Sequence, residues 1–170
     1  PVPGGVAHAT QKSPALAVQG HACVGSRRID LSGAIGCVDS SSGLLAHRTD
    51  WRWATAHSPQ VGFNLQAGYF GAHENALWLD GQLSPLGAAR FTFDPERPLA
   101  PWRVSTDDGL LDLLFTPEGA RQDRRDLGLV ASRYVQPVGT FSGLVRAWPG
   151  APPRRVDALL GVTEDHASRW

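Results

Sequence analysis

Short stretches of strict alternation between apolar and polar residues run through the chain, the pattern of half-buried strands. Trp51-Arg52-Trp53-Ala54-Thr55 puts both tryptophans on one side of an extended segment. In the stretch 61–69, Val61, Phe63, Leu65 and Tyr69 share one side, and Asn64 and Gln66 share the other. Phe91-Thr92-Phe93 and Leu111-Asp112-Leu113-Leu114-Phe115 alternate as well. Further candidates are 16–24, 29–38, 75–80, 82–88, 101–106, 127–135, 139–148 and 154–160. The count is about eleven short strands, spaced as in an all-β barrel or sandwich.

The breaks between them carry turn chemistry. Asp80-Gly81 and Asp108-Gly109 each separate two apolar runs and read as tight hairpins. Pro149-Gly150 followed by Pro152-Pro153 precedes the last strand. Helical signals are few. The charged run 118–126 has no apolar stripe and reads as a solvated loop or one exposed turn. Thr163-Glu164-Asp165-His166 reads as the capped start of a short C-terminal helix, which would dock Trp170 against the barrel. The expectation is an all-β, antiparallel β-barrel or strongly curved sandwich, one domain over 1–170 with 1–15 as an extended lead-in.

Composition narrows the function. Lys+Arg and Asp+Glu number 16 each in 170 residues. That balance argues against nucleic acid and against a polybasic membrane anchor. No apolar run approaches the ~18 residues of a membrane span. The absence of a secretory leader points to the cytoplasm. There is no methionine, so the chain is expected to be part of a longer protein. Lys12 is the single lysine. Cys23 and Cys37 lack metal-ligand spacing and read as buried free thiols, with a disulfide as the alternative.

No nucleophile elbow, phosphate loop or dinucleotide fingerprint is present. His8, His21, His47, His57, His73 and His166 show no metal spacing, so neither metal nor cofactor is expected. Polar groups set among aromatic residues remain. Asp39 and Asp50 accompany Trp51 and Trp53, as acid, base or ligand anchor beside apolar walls with indole donors. The alternative is that both tryptophans are core. Glu74-Asn75-Ala76-Leu77-Trp78 sets a carboxylate, an amide and an indole at a strand start, read either as an acid in an apolar mouth or as turn chemistry. Asn64 and Asn75 sit in or at strands, where Asn is disfavoured, so each needs a specific partner. In Gln136-Pro137-Val138-Gly139-Thr140-Phe141-Ser142-Gly143, the glycines imply a bulge, a barrel bend or a close approach. Glu164, Asp165 and His166 form a proton-transfer group of which at most two members converge on one point.

The order Asp39…Trp51-Arg52-Trp53-Ala54, Gly62-Phe63-Asn64-Leu65 and Glu74-Asn75-Ala76-Leu77-Trp78-Leu79-Asp80-Gly81 resembles an uncharacterised bacterial family, DUF2804. So do Ala100-Pro101-Trp102-Arg103, Asp112 to Pro117, Gly139 to Gly143 and Gly161 to His166. The resemblance runs from about Val18 onward and implies the C-terminal half of a protein twice as long. More distantly it is similar to lipocalin-like carotenoid hydratases and polyene cyclases, which implies an up-and-down, calycin-like barrel. The hydratase motif has a histidine beside its aspartate, whereas here Asp39-Ser40-Ser41-Ser42-Gly43 has none.

Three functions fit. The first is a barrel binding an apolar isoprenoid, polyketide or acyl compound, with Trp51, Trp53, Asn64, Asn75, Trp78 and Gln136 as ligand contacts. The second is a cyclase, isomerase or hydratase using Glu74, Asp39, or Glu164 with His166. The third is a structural half whose site lies with the N-terminal half as partner.

Overall fold

Alternation produces strands here, and their pairings produce one strongly curled sheet. The computed structural model describes Gly4, Gly5 and residues 7–169. Among these residues there are thirteen strands and no helix. They are β1 (Ala7–Ala17), β2 (His21–Val24), β3 (Arg27–Asp30), β4 (Ile35–Leu44), β5 (Arg48–His57), β6 (Val61–Gly68) and β7 (Ala76–Leu79). They continue with β8 (Gln82–Pro85), β9 (Ala89–Thr92), β10 (Trp102–Thr106), β11 (Leu111–Asp126), β12 (Ala131–Val145) and β13 (Arg154–Arg169). No helix of the described residues is long and apolar enough to cross a membrane.

Nine strands form an antiparallel sheet in the order β8-β7-β6-β5-β13-β12-β11-β10-β9. The two edge strands, β8 and β9, are consecutive in the chain. The segment from Pro85 to Ala89 spans at most ~14 Å when extended, so the sheet must curl until its edges nearly meet. Following the antiparallel pairings round the sheet, β8 and β9 run the same way. They act as one stave interrupted at 86–88, which makes an up-and-down ring of eight staves. The interruption changes partners: Leu86 N donates to Asn75 O at 3.0 Å on the β7 side, and Asp107 N donates to Ala88 O at 3.0 Å on the β10 side. Gly87 N donates to Asp108 Oδ2 at 2.6 Å, and Ala88 N donates to Asp107 Oδ1 at 2.7 Å. A Cβ on Gly87 would lie 2.1 Å from Asp107 Oδ1, so a larger residue would have to displace the aspartate side chains that hold this seam.

The middle of the concave side is filled by the hydrophobic core. Phe63, Phe115 and Phe141 are fully buried, with Phe141 edge-on to Phe63 at 4.9 Å and tilted over Phe115 at 4.6 Å. Trp102 stacks on Phe93 at 3.7 Å, and Leu65, Leu77, Val104, Leu111, Leu113 and Val145 fill the remainder. An eight-stave ring is just wide enough for side chains to fill. Core side chains therefore occupy the middle of the barrel, and a cleft of about 540 Å³ on the same side is lined by charged and polar residues, Arg52, Glu96, Gln122, Arg133 and Asp165 among them.

Two local expectations are corrected. Residues 118–126 continue β11, paired to β12 from Gly119↔Val138 to Asp126↔Ala131 after a register shift at Pro117/Gly119. Both faces of that extension are largely exposed, so it carries no alternation to read. Residues 163–166 are strand rather than helix, held between β12 and β5 with Glu164↔Trp53 and His166↔Trp51 in register. Two hydrogen-bonded ladders outweigh a local capping preference. The expected docking of Trp170 lies outside the described residues.

Gly139 and Gly143 are close-approach glycines against β11. A Cβ on Gly143 (φ +151°) would meet Asp112 O at 2.3 Å, at a second register shift between Phe141 and Gly143. The Asp80-Gly81 hairpin is present, with φ +50° and +80°. Cys23 and Cys37 are free as expected, but exposed rather than buried. They lie on the second layer, where β1 pairs with β4 as a ribbon and β2 with β3 as a small hairpin.

Candidate functional site

Facing residues of neighbouring antiparallel strands project to the same side, so register alone assembles the site. Trp51 and Trp53 of β5 lie opposite His166 and Glu164 of β13, and Trp53 lies opposite Gln66 of β6. With Phe63, Leu65 and Ala54 committed to the core, all of these side chains point to the convex face. The tryptophans therefore line the outside of the barrel wall rather than its interior. Asp165, between Glu164 and His166, projects to the other side, where Arg52 Nε and Arg133 Nη1 hold it at 3.1 and 2.6 Å.

The β1–β4 ribbon and the turn after β6 roof this face. Tyr69 is tied to the roof by Ala46 N, which donates to its Oη at 2.8 Å. His8 of β1 stacks on Phe70 at 3.8 Å. Lys12 and Asp39 are register partners on the ribbon. Lys12 Nζ reaches down to Asp39 Oδ2 at 2.5 Å and Glu74 Oε2 at 3.0 Å, and lies 5.7 Å from the centre of the Trp53 ring. Roof and wall enclose a cleft of about 220 Å³, lined by His8, Lys12, Asp39, Trp51, Trp53, Gln66, Tyr69, Phe70, Glu74 and Glu164 among others.

Its carboxylates are held differently. Glu164 accepts from Trp51 Nε1 at 2.8 Å through Oε1 and from Gln136 Nε2 at 3.0 Å through Oε2, and its Oε1 lies 3.5 Å from His166 Nδ1. Glu74 has the Lys12 ion pair, but its buried Oε2 has no aligned hydrogen bond. Gln66 is 2% exposed, yet neither its Nε2 nor its Oε1 has a partner among the described residues. Both ring nitrogens of His8 are also buried without a partner. A buried polar group left unpaired costs free energy.

Of the residues singled out by sequence, Asp39, Glu74, Glu164, Trp51 and Trp53 meet in this cleft. His166 lies just behind it, its ring 4.3 Å from that of Trp51, and Gln136 braces Glu164. The two asparagines have the partners their strand positions demanded. Asn64 accepts from Trp53 Nε1 at 2.8 Å and donates to Glu74 O at 2.9 Å. Asn75 accepts from Gln66 N at 2.6 Å and donates to Gly87 O at 2.9 Å, pegging the seam to the wall. Trp78 stands apart, edge-on to His57 at 5.6 Å. Sequence reading missed Gln66, Tyr69, Phe70, His8 and Lys12 as cleft residues. The one signal for Lys12 was its being the chain's single lysine.

Two pKa values bear on the fold. Burial pushes His57 down to about 4. Partial burial works against ionisation of Asp108, but hydrogen bonds from Thr106, Leu110 and Gly87 outweigh it and hold its pKa below the ordinary value. Among the described residues no group of three or more His, Cys, Asp or Glu side chains is placed to hold a metal ion.

No curated protein and no solved structure matches the chain. The family model described as Domain of unknown function (DUF2804) matches residues 4–170, nearly the whole sequence. The motif order running through both cleft and core thus has its counterpart in a family profile, and the chain belongs to the DUF2804 family.

Proposed function

We propose that this protein binds a small molecule in the cleft between the β1–β4 ribbon and the outer barrel wall. The observation that carries the reading is Gln66, buried on the cleft wall with a free donor and a free acceptor. Trp51, Trp53, Tyr69 and Phe70 supply apolar walls, and Asp39, Glu74 and Glu164 supply acceptors. Pockets with mostly apolar walls and a few convergent polar groups are the usual small-molecule sites. The packed barrel interior argues against a long isoprenoid or acyl chain threaded along the axis. The cleft suits a compact amphipathic molecule. The ring of eight staves supports the more distant lipocalin-like relation.

A second reading is general acid–base catalysis on that molecule. It is favoured by Glu164, a carboxylate held by Trp51 and Gln136 with His166 at 3.5 Å, facing the same cleft as Glu74. The test for binding is native mass spectrometry of the purified chain, followed by solvent extraction. A stoichiometric co-purifying compound that is lost in Gln66→Leu supports the cleft. A compound retained by that variant overturns it. Turnover of the compound that fails in Glu74→Gln and Glu164→Gln would establish the second reading.

A further inference from the structure

The cleft has an unusual charge balance for its size. Asp39, Glu74 and Glu164 line it, and Lys12 is the one cation among its lining residues, leaving a formal charge of −2. Its volume of about 220 Å³ corresponds to about seven waters. Asp39 keeps much of its water, but the Glu74 and Glu164 side chains are only 9% and 10% exposed, and two buried carboxylates beside one ammonium are costly without a further counter-charge.

The chain already places one counter-charge there. Its single lysine, against 15 arginines, is the residue that enters the cleft. The Lys12 side chain is 18% exposed, and its ammonium bridges Asp39 and Glu74 beside the Trp53 ring, within cation–π range. An ammonium is a compact, strongly hydrated charge, and here two carboxylates and a ring face replace part of its water. The cleft therefore already solvates an alkylammonium. Lys12 does not reach Glu164, whose oxygens are held only by the neutral donors Trp51 and Gln136 with His166 at 3.5 Å, and it leaves open the faces of Trp51, Tyr69 and Phe70 and the Gln66 amide.

We infer that the cleft selects an organic ammonium: a compact amine with an apolar body, whose cationic nitrogen lies among Glu74, Glu164 and the indole faces and whose hydroxyl or amide neighbour pairs with Gln66. This deepens the binding reading above and rests on it. An anionic ligand is repelled by three carboxylates. A neutral polyol satisfies Gln66 but leaves the charge uncompensated. Lys12 is then a tethered competitor, occupying part of the ammonium site when the cleft is empty.

Isothermal titration of the 170-residue chain with three indoles of similar size tests the inference: tryptamine (cation), tryptophol (its neutral hydroxyl counterpart) and indole-3-propionate (anion). Tryptamine is expected to bind about tenfold more tightly than tryptophol, the margin of one charge-assisted hydrogen bond, and indole-3-propionate not to bind. Glu74→Gln should abolish the cation preference. Lys12→Met, which keeps the aliphatic stem and removes the charge, should tighten tryptamine. Thermal unfolding of each variant checks that it is folded. Equal binding of tryptamine and tryptophol overturns the ammonium inference and leaves the cleft reading intact. Absence of tryptamine binding in both the parent chain and Lys12→Met overturns the inference as well. The cleft reading is then decided separately by the co-purification result.

Discussion

Trp51 Nε1 donates to Glu164 Oε1 at 2.8 Å across 113 residues of sequence, joining the first and last staves of the ring where β5 meets β13. The same bond fixes a carboxylate that lines the cleft, so one side-chain contact links the β5–β13 ladder to the site. Trp51→Phe keeps the ring and removes the donor. It is expected to cost about 1–2 kcal/mol in urea unfolding, since a buried carboxylate oxygen loses its partner. If stability is unchanged, the bond plays no part in holding the staves together.

Gln66 should behave in the opposite way. Its amide is buried without partners, so Gln66→Leu is expected to stabilise the empty chain by about 1 kcal/mol while removing co-purified ligand. Loss of stability in the ligand-free protein would mean that the amide serves the fold instead of the cleft.

The seam between β8 and β9 depends on Asp108, which accepts from Gly87 N and Thr106 Oγ1 at 2.6 Å each and from Leu110 N at 3.0 Å. Asp108→Ala is expected to cost about 1–2 kcal/mol and to speed amide exchange at Gly87. Because its folded pKa lies below the ordinary value, the contribution of Asp108 is present at neutral pH and is lost as pH falls through the acidic range. Unchanged exchange at Gly87 would show that the seam is held by other contacts.

His57 makes stability depend on pH at a milder point. Thr55 Oγ1 gives its one proton to Phe63 O at 2.8 Å, so His57 Nε2–H donates to Thr55 at 2.9 Å and the neutral ring is the form that fits. The folded pKa is about 4 against 6.5 unfolded, so between those values the unfolded chain binds a proton that the folded chain does not. Stability should fall as pH drops from about 6.5 and level off below about 4, by about 1–2 kcal/mol after allowance for solvent screening. His57→Gln should flatten this limb in urea titrations at pH 4.5 and 7. A limb that persists in the variant would assign it to another group.

Much of the architecture was legible because side-chain period and turn chemistry are local. The alternation over 61–69 separates Phe63 and Leu65 from Asn64 and Gln66, and the structure places the first pair in the core and the second on the convex face, where Gln66 lines the cleft. Asp80-Gly81 reads as a hairpin because both residues must adopt positive φ. Trp51 and Trp53 share a face for the same periodic reason, and the two strand asparagines advertise partners because an amide in a strand needs them.

Which face turns inward was decided only in three dimensions. Both sides of β6 are buried, one by the core and one by the ribbon, so its hydrophobicity alone does not identify the interior. Residues 118–126 became strand through their ladder to β12, and 163–166 through ladders to β12 and β5, which outweigh the local preferences. Lys12 lies 62 positions from Glu74, and only the fold of the ribbon over the barrel wall brings its ammonium between Asp39 and Glu74. Sequence by itself determined the alternating strands, the turns and the chemistry available. Tertiary structure decided which groups meet, because convergence depends on register and curvature summed over the whole ring.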